Sequence, residues 1–380
     1  MIAPDHPARL TTLALELGRL GDDITIHARR VSPLKRRTTL APGVAVEYLP
    51  AGPEHPVDGA QLLPHLGEFG RRLAARWGDR PPEVVHAHGW TGGLAALAGS
   101  QSHGSARTPV LQSFELLDCR CGPRGPASPP KRANRGAQAR LERALGRTAV
   151  ASTVACTQDK DALIRLGVPR NRISVVPGAV DIGKFTTREP AYPRGEQTRL
   201  LMTTGPVPEG GAGAVVRALA GVPGAELVIA GGPEPASLET DPGAGRLRLL
   251  AKEAGVDDRV ILLGKVPARV APRLIRSADL MLALGPYDPY GTAALEAMAC
   301  GVPVMATRAG GHLDTVLDGV TGLLISDLTP SGIARRLRAS LADPTLLQAL
   351  GIAGADRVRA RHSWPRIAAE THRLYEEITC

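Results

Sequence analysis

The chain has 380 residues, of which 43% are hydrophobic and 22% charged, as is typical of a globular protein with room for two domains. Nowhere do about 18 uncharged apolar residues follow one another, so no membrane-spanning helix is predicted. The start "MIAPDHPARL" lacks the cationic and apolar stretches of a signal peptide. Aromatic residues make up only 3% of the chain, without a basic–aromatic platform, which argues against a nucleic-acid partner.

The formal net charge of +9 lies wholly in the first half of the chain. Residues 1–195 contain 27 Lys or Arg and 17 Asp or Glu, a balance of +10, whereas residues 196–380 contain 19 and 20, a balance of −1. This charge suits an anionic partner of the first half, either a phosphorylated acceptor or an acidic membrane surface contacted peripherally. A solvated, Arg-rich surface without such a partner is the alternative interpretation.

Helical and strand patterns alternate from the first residues onward. "LTTLALELGRLG" places four leucines on one helical face before Gly21, and the strand candidate "DITIHA" follows. Further strands are predicted at "VAVEYL", "EVVHAH", "PVLQSF", "AVASTVAC" and "ISVV". After residue 195 the pattern restarts with "RLLMTTG", "AELVIAGG", "RVILLG", "DLMLAL", "VPVMAT" and "GLLI". Two such series predict an α/β protein with two doubly wound, Rossmann-like domains facing across a cleft.

Two irregular stretches interrupt this pattern. The polar, Pro-bearing "TTREPAYPRGEQT" at 186–198 indicates a domain linker. The stretch Cys119–Arg140 carries many basic residues and no acid, which predicts a mobile basic loop. Its Cys119 and Cys121 have no second ligand pair at zinc spacing, so plain thiols are favoured over a metal site. The total of five scattered cysteines indicates a reducing, cytoplasmic compartment.

The stretch "PYDPYGTAALEAMACGVPVMA" follows the predicted strand "DLMLAL" and contains two acids, Asp288 and Glu296. The helix "TAALEAMAC" begins at the carboxyl end of a parallel strand, where open α/β sheets bind ligands, and its first free amides form an anion site. Gly291 lets the backbone approach the ligand. Two acids flanking an anion site suit a nucleotide-sugar. In the alternative interpretation, Asp288 is a solvated loop acid and Glu296 a satisfied first-turn acid.

This stretch resembles the signature of the retaining glycosyltransferases of family four, Glu-x7-Glu followed by Ala-x-Ala-x-Gly-x-Pro-Val. "EVVHAHGWTGGLAALA", "LIRLGVPRNRISVVPGAVDIGKF", "GGHLDTVLDGVTGLLI" and "HSWPRIAAETHRLYEEI" resemble the same family in the same order. The resemblance implies the GT-B fold, with a Rossmann-like acceptor domain at 1–190, a nucleotide-sugar-binding domain at 191–362 and a helix at 363–380 that crosses back. It also implies retaining, metal-independent transfer from a nucleotide-diphospho-sugar to a small-molecule or glycan acceptor, with no cofactor.

The resemblance also assigns residues. Glu296 would bind the donor ribose, and Asp288, which replaces the family's first Glu, would bind the transferred sugar. His88, at the end of "EVVHAH", would lie beside the reacting carbon, with His86 as the other histidine of the strand. The donor phosphates would be contacted by Gly291, Thr292, Ala293, Ala294 and Leu295. Lys265 and Val266 would border the donor base. His6, Gly310 and Gly311 would lie on the acceptor side.

Two departures from the family pattern open a second hypothesis. The family carries an Arg and a Lys after the first strand of the second domain, where this chain has Pro206 and Glu209 or Gly210. Lys265 or Arg308 could compensate for that lost charge. The first strand is shortened or absent. The family's N-terminal glycine loop is missing from "MIAPDHPAR", either because the loop has been deleted or because the chain is a reduced member of the family. The rival hypothesis is a degenerate homologue that binds a ligand or partner, or joins sugar-like units; the enzyme remains favoured.

Overall fold

The computed structural model describes residues 1–3, 8–32, 36–57, 59–78, 81–101, 108–114, 132–188 and 190–379. These residues form two compact units. The first unit consists of the described residues up to 114, residues 132–176 and residues 364–379, and the second of the described residues within 177–363. The chain therefore passes from one unit to the other between Val176 and Pro177 and returns after Ser363, whereas the sequence placed these boundaries at 190/191 and 362/363.

The first unit contains seven strands and six helices before the chain leaves it. In chain order they are α1 (Ala8–Arg19), β1 (Ile24–Arg29), β2 (Arg37–Ala41), β3 (Val44–Leu49), α2 (Gly59–Leu62), α3 (Leu66–Trp77), β4 (Val85–His88), α4 (Gly89–Gln101), β5 (Val110–Phe114), α5 (Arg132–Thr148), β6 (Ala151–Val154), α6 (Thr157–Arg165) and β7 (Ile173–Val175). Strands β1–β3 and β4–β7 form two groups, with order β1-β3-β2 and β4-β5-β6-β7. All pairs are parallel except the edge pair β2–β3.

Residues Met1–Ala3 join these two groups of strands. Ile2 bridges His27 of β1 on one side and Ala87 of β4 on the other. Its amide donates to the His86 carbonyl at 2.8 Å, and its carbonyl accepts from the His88 amide at 2.9 Å. The first strand is therefore shortened rather than absent, because these three residues already supply the backbone groups that β1 and β4 need for pairing.

The second unit begins with β8 and has six strands and seven helices. They are β8 (Thr198–Met202), α7 (Ala212–Leu219), β9 (Ala225–Ala230), α8 (Pro242–Glu253), β10 (Val260–Gly264), α9 (Ala271–Arg276), β11 (Leu280–Ala283), α10 (Thr292–Ala299), β12 (Val304–Thr307), α11 (His312–Thr315), β13 (Leu323–Ile325), α12 (Pro330–Leu341) and α13 (Pro344–Arg361). The sheet is wholly parallel, in the order β10-β9-β8-β11-β12-β13. The order reverses between β8 and β11, as in doubly wound dinucleotide-binding sheets.

Both faces of this second sheet are buried. Leu200 and Met202 of β8 pack in one apolar cluster, while Leu201 between them packs in another on the opposite face. Strand residues alternate sides, so near-continuous apolar strands such as "DLMLAL" suit a sheet covered by helices on both faces. The predicted α/β class and all twelve predicted strands are confirmed. Within the described ranges the structure adds one further strand, β2, whose largely exposed, polar sequence "RTTLA" carries no strand signal.

The last helix, α14 (Trp364–Thr379), belongs to the first unit, where it packs against α1. Ala368 is fully buried in the cluster that contains the leucines of α1, and Tyr375 packs against the same cluster. His372 contacts the Asp22 carboxylate at 3.0 Å. Among the described residues, no helix is both long and apolar enough to cross a membrane.

The predicted basic loop, Cys119–Arg140, is wrong over its last part. Residues from Arg132 onward form the first turns of α5, because "RANRGAQARLERALGRT" consists largely of strong helix formers. Glu142 and Leu145, three positions apart, are then buried on one side of this helix. The earlier part of that prediction, including Cys119 and Cys121, lies outside the described residues.

Candidate functional site

The carboxyl edge of the second sheet collects the loops that the sequence singled out. The loop after β8 contains Pro206 and Gly210, the loop after β11 contains Asp288, and the turn after β12 contains Gly310 and Gly311. All strands of this sheet run in the same direction, so these loops emerge at one edge, and the reversal of strand order lies between β8 and β11. Open α/β sheets bind ligands at this position.

Asp288 closes part of the predicted anion site with its own side chain. One carboxylate oxygen accepts from the amides of Tyr290 and Gly291, at 3.0 and 2.8 Å, and the other accepts from Thr292 at 3.1 Å. Gly291 has a φ of +63°, which turns the chain into α10. Asp288 is therefore a capping acid of α10. The interpretation of Asp288 as a solvated loop acid is wrong.

This cap reduces the number of amides that α10 can offer to a ligand. The amide of Thr292 is bonded to Asp288, and the amide of Leu295 donates to the Gly291 carbonyl at 2.9 Å. The prediction of an anion site made by all the amides from Thr292 to Leu295 is thus too broad for this state, because a helix loses free amides after its first turn. Within the described residues, the amides of Ala293 and Ala294 have no acceptor.

Glu296 is a half-buried acid one turn into α10. Burial raises the pKa of its carboxyl to about 7, and the nearby Lys184 ammonium opposes this pKa rise. No described residue donates a hydrogen bond to this carboxylate, so the interpretation of Glu296 as a satisfied first-turn acid is wrong. An acid with a strongly raised pKa and unused acceptor oxygens is a candidate for binding hydroxyl groups.

The two cations that were expected to compensate for the missing basic pair already have partners. Lys265 Nζ contacts the Glu234 carboxylate at 2.6 Å on the surface, and this contact raises the pKa of Lys265. Arg308 pairs with Asp318. Compensation by either side chain would require exchange of its present partner. Val266 packs partly buried beside the apolar core, and the Lys265 amide donates to the Pro233 carbonyl at 2.7 Å, which ties the loops after β9 and β10 together.

The loop at the missing basic pair is packed tightly against its neighbours. A Cβ built at Gly232 would lie 2.4 Å from Cδ of Pro206, and one built at Gly211 would lie 2.3 Å from the Leu284 carbonyl oxygen. Gly211 has a φ of +95°. Glu209 lies 3.6 Å from Arg246 of α8. A Cβ at Gly210, in contrast, would make only ordinary van der Waals contact, with the Val207 side chain at 3.4 Å.

The glycine pair Gly310–Gly311 lies against the backbone of the Asp288 loop. A Cβ at Gly310 would lie 2.5 Å from the Asp288 carbonyl oxygen, and one at Gly311 would lie 2.4 Å from that of Pro289. The Gly311 amide donates to the Asp288 carbonyl at 2.8 Å. Close packing against this loop is therefore sufficient to explain why glycine occupies positions 310 and 311. Their location beside an acceptor stays a prediction. His6, the third predicted acceptor contact, lies outside the described residues.

His312 is a buried residue of this region that sequence reasoning missed. Its Nδ1 lies 3.1 Å from Thr307 Oγ1, which itself donates to the Gly285 carbonyl, so Nδ1 carries the proton and Nε2 keeps a lone pair. Within the described residues, this buried Nε2 has no hydrogen-bond partner. Burial lowers the pKa of His312, and Asp288 opposes this effect. A histidine directly after the glycine pair was the signal available in the sequence.

In the first unit, the two histidines of β4 share one face, as the period-two pattern predicts. Their ring centroids lie 4.1 Å apart, with the planes tilted by 32°. His86 is buried with both nitrogens engaged, by Tyr375 at 2.7 Å and Ser113 at 2.6 Å, and burial holds the pKa of its imidazole well below the usual range. His88 is only half-buried and stands at the carboxyl end of the strand, so it is the more accessible of the two.

Among the residues that the structure describes, no three His, Cys, Asp or Glu side chains come close enough together to hold an ion. Of the cysteines within the described ranges, Cys156 and Cys300 are both buried and neither forms a disulfide.

Two protein-family models match the chain. The model of the glycosyl transferases group 1 matches residues 194–357, and the model of the glycosyl transferase 4-like domain matches residues 7–179. D-inositol 3-phosphate glycosyltransferase 1 of Catenulispora acidiphila is 31% identical over 373 residues, which cover 92% of this chain and 85% of the relative. The D-inositol 3-phosphate glycosyltransferase of Frankia alni is 30% identical over 385 residues, which cover 96% and 92%.

Solved structures share the fold at lower identity. Sucrose-phosphate synthase from Thermosynechococcus elongatus has a TM-score of 0.80 and 24% identity, with 97% of this chain and 92% of that chain covered. Anabaena HepE in complex with UDP-glucose has a TM-score of 0.72 and 16% identity, with 99% and 98% covered. The predicted GT-B class is confirmed by these neighbours.

Proposed function

This chain belongs to the group 1 glycosyl transferases, and we propose that it moves a sugar from a nucleotide-diphospho-sugar to a small anionic acceptor with retention of configuration and without a metal. In such a transfer, the bond between the anomeric carbon and the diphosphate oxygen breaks. An acceptor hydroxyl oxygen forms the new bond on the same face of the sugar, and its proton passes to the departing diphosphate. His88 is proposed to contact the transferred sugar.

The observation that carries this proposal is Glu296. A half-buried carboxylate with unused oxygens, one turn below the free amides of Ala293 and Ala294, offers acceptors for ribose hydroxyls beside donors for a phosphate. Few ligands carry a vicinal diol next to a diphosphate, and nucleoside diphosphates do. Anabaena HepE, a fold neighbour, has been crystallised with UDP-glucose.

The nature of the acceptor is proposed from charge and from the relatives. The excess positive charge lies wholly in residues 1–195. The curated relatives described above are named for D-inositol 3-phosphate, a small phosphorylated polyol. We therefore expect a phosphorylated cyclitol or a similar small anionic hydroxyl compound as the acceptor, since Arg and Lys bind phosphate through charge-assisted hydrogen bonds.

A thermal-shift screen tests the donor class directly. We expect one ribonucleoside diphosphate among UDP, GDP and ADP to raise the unfolding temperature at millimolar concentration, because binding to the native state stabilises it by mass action. The corresponding nucleosides should give much smaller shifts because they lack the phosphates. The absence of a shift with all three diphosphates would contradict the proposed donor.

Metal removal gives a second test of the proposal. We expect sugar transfer by the purified protein to be unchanged by a chelator such as EDTA, because backbone amides at a helix start can neutralise the diphosphate in place of a cation. Transfer rates before and after dialysis against EDTA provide the measurement. A rate that collapses and is restored by magnesium or manganese would refute metal independence.

Adding a positive charge at Gly210 should strengthen donor binding. A Cβ at this position meets nothing closer than the Val207 side chain at 3.4 Å, so Gly210→Lys fits, whereas the ring of Pro206 is packed against Gly232. We expect nucleoside diphosphate affinity to rise about tenfold at low salt and this gain to shrink with added salt. The matched control is Gly195→Lys, which adds the same charge at an exposed position with no atom within 4 Å. Equal affinities of the two variants would contradict an under-neutralised diphosphate.

A degenerate homologue without transfer activity is the second candidate, and two observations favour it. Asp288 occupies the amides of Tyr290, Gly291 and Thr292, and the loop 203–211 contains no Lys or Arg. A protein of this kind would bind a ligand or a partner without cleaving the donor. The two candidates differ in donor cleavage, because only a transferase would release the sugar from the donor, to an acceptor or to water. Nucleotide binding with no release of sugar over days, and with no acceptor found, would support the degenerate homologue.

A further inference from the structure

A chain of hydrogen-bonded side chains runs through the interior of the first unit beneath His88. Tyr375 Oη of α14 lies 2.7 Å from His86 Nδ1, and His86 Nε2 lies 2.6 Å from Ser113 Oγ of β5. Ser113 Oγ continues to Thr153 Oγ1 of β6. His86 is 4% exposed, and the proposed role of His88 does not use any of these four groups.

We propose that Tyr375 and His86 are positioning residues that set the orientation and the protonation state of the His88 imidazole. The inference rests on the proposed function, in which His88 contacts the transferred sugar. It adds a specific dependence of that histidine on a residue of the C-terminal helix, 289 positions away from His86 in sequence.

The hydrogen-bond chain determines which charge state His86 can adopt. A neutral imidazole has one donor and one acceptor nitrogen. It can therefore accept a hydrogen bond from the hydroxyl on one side and donate one to the hydroxyl on the other side. Burial holds the pKa of His86 well below the usual range and raises the pKa of Tyr375, so both groups are uncharged near neutral pH. The network therefore holds an uncharged imidazole with both nitrogens satisfied.

The His86 imidazole lies directly against the ring of His88. The two ring centroids are 4.1 Å apart, and the ring planes are tilted by 32° to each other. A neutral His86 allows His88 to gain a proton without facing a second positive charge. A His86 released from its partners would be free to rotate and to change tautomer, and His88 would lose the surface that orients it.

Other titratable groups face this network and bear on its titration. After burial and His88, the Met1 amino group also lowers the pKa of His86, while burial lowers the pKa of Met1 itself to about 5. Asp22 adds to the effect of burial in raising the pKa of Tyr375. His372 and Glu376 flank Tyr375 on α14, and His372 is paired with Asp22. These groups remain in place when only the Tyr375 hydroxyl is removed, so the Tyr375→Phe variant isolates the hydrogen bond to His86.

The experiment compares Tyr375→Phe with Thr371→Val, which removes another buried hydroxyl of the same helix. Within the part of the chain that the structure describes, this hydroxyl donates to the Ile367 carbonyl and takes no part in the network. Imidazole NMR spectra of the ligand-free protein, with His86 and His88 assigned by His→Gln substitutions, report tautomers and titration midpoints. In Tyr375→Phe we expect His86 to lose its single tautomer and the His88 midpoint to shift by about half a pH unit or more. Thr371→Val should reproduce the wild-type values. Identical histidine spectra in the two variants and the wild type would overturn the inference.

Ser113→Ala removes the hydrogen bond on the other side of His86, in the sheet. If Tyr375→Phe does not fold, the His86 tautomer and the His88 titration midpoint measured in Ser113→Ala decide the proposal instead. With an active donor and acceptor, Tyr375→Phe should lower kcat about tenfold, shift its pH profile and leave KM nearly unchanged. The NMR measurement needs no turnover, so the two proposals can fail separately. A shifted His88 midpoint with unaltered kcat would sustain the positioning role and refute the catalytic one.

Discussion

Replacement of His88 by alanine is expected to lower kcat about 100-fold or more while the affinity for the bare nucleoside diphosphate changes less than about twofold. His88 stands at the end of β4 and is only half-buried, and its proposed contact is with the transferred sugar, which the bare diphosphate lacks. An interaction made mainly in the transition state appears in kcat rather than in ligand binding. Steady-state kinetics and isothermal titration measure the two quantities.

His55→Ala is the matched control for this variant, because His55 is an exposed histidine of the same unit. Among the described residues, the hydrogen bond of its side chain is with the neighbouring Pro56 carbonyl, at 3.1 Å. It should leave both kcat and affinity at their wild-type values. A His88→Ala protein in which only KM rises would show that His88 does not act on the reacting sugar. His86 would be a poor replacement candidate, because both its nitrogens are already engaged in the interior.

The second large effect concerns Glu296 and pH. Burial raises the pKa of Glu296 to about 7, so near pH 6 the carboxyl is mostly protonated and near pH 8 mostly ionised. The ionised form accepts stronger hydrogen bonds from ribose hydroxyls, so binding favours proton release. We expect the affinity for the preferred nucleoside diphosphate to increase about tenfold as the pH rises from 5.5 to 8. Titration calorimetry across this range measures the increase.

Glu296→Gln is the control that isolates this proton. The terminal phosphate of the nucleotide also titrates in this range, and its contribution is the same in both proteins. The variant should bind about tenfold more weakly than the wild type at pH 8 and lose most of the pH dependence. A glutamine variant that keeps both the wild-type affinity and its pH slope would assign Glu296 no role in nucleotide binding.

The same substitution should stabilise the protein. Because the folded pKa of Glu296 is about 7 and its ordinary value is 4.5, ionisation of this group is harder in the folded state than in the unfolded one. Its contribution to stability is therefore full below about pH 4.5 and is lost as the pH rises to 7. Glu296→Gln should raise the free energy of unfolding at pH 8 by about 1–3 kcal/mol and have little effect at pH 4.5. A gain in stability paired with a loss of affinity is typical of a functional site.

The strand series was predictable from local patterns. Apolar runs such as "DLMLAL" are typical of buried strands, and all twelve predicted runs form strands. The edge strand β2 was not predictable, because "RTTLA" is polar and its pairing depends on a neighbour, β3. The first turns of α5 were predicted as part of a basic loop, because that prediction gave more weight to the basic composition of the segment than to its helix propensity.

By itself, the sequence determined the α/β class, the two strand series, the resemblance to a transferase family and the positions of Asp288, Glu296 and His88 along their elements. These features depend on residues close together in the chain. Only the tertiary structure decided that Asp288 caps the amides of α10, that Lys265 and Arg308 have other partners, and that Glu296 has none among the described residues. The link between Tyr375 and His86 joins residues 289 positions apart. Side-chain partners across such distances depend on packing and burial, and local sequence patterns do not encode them.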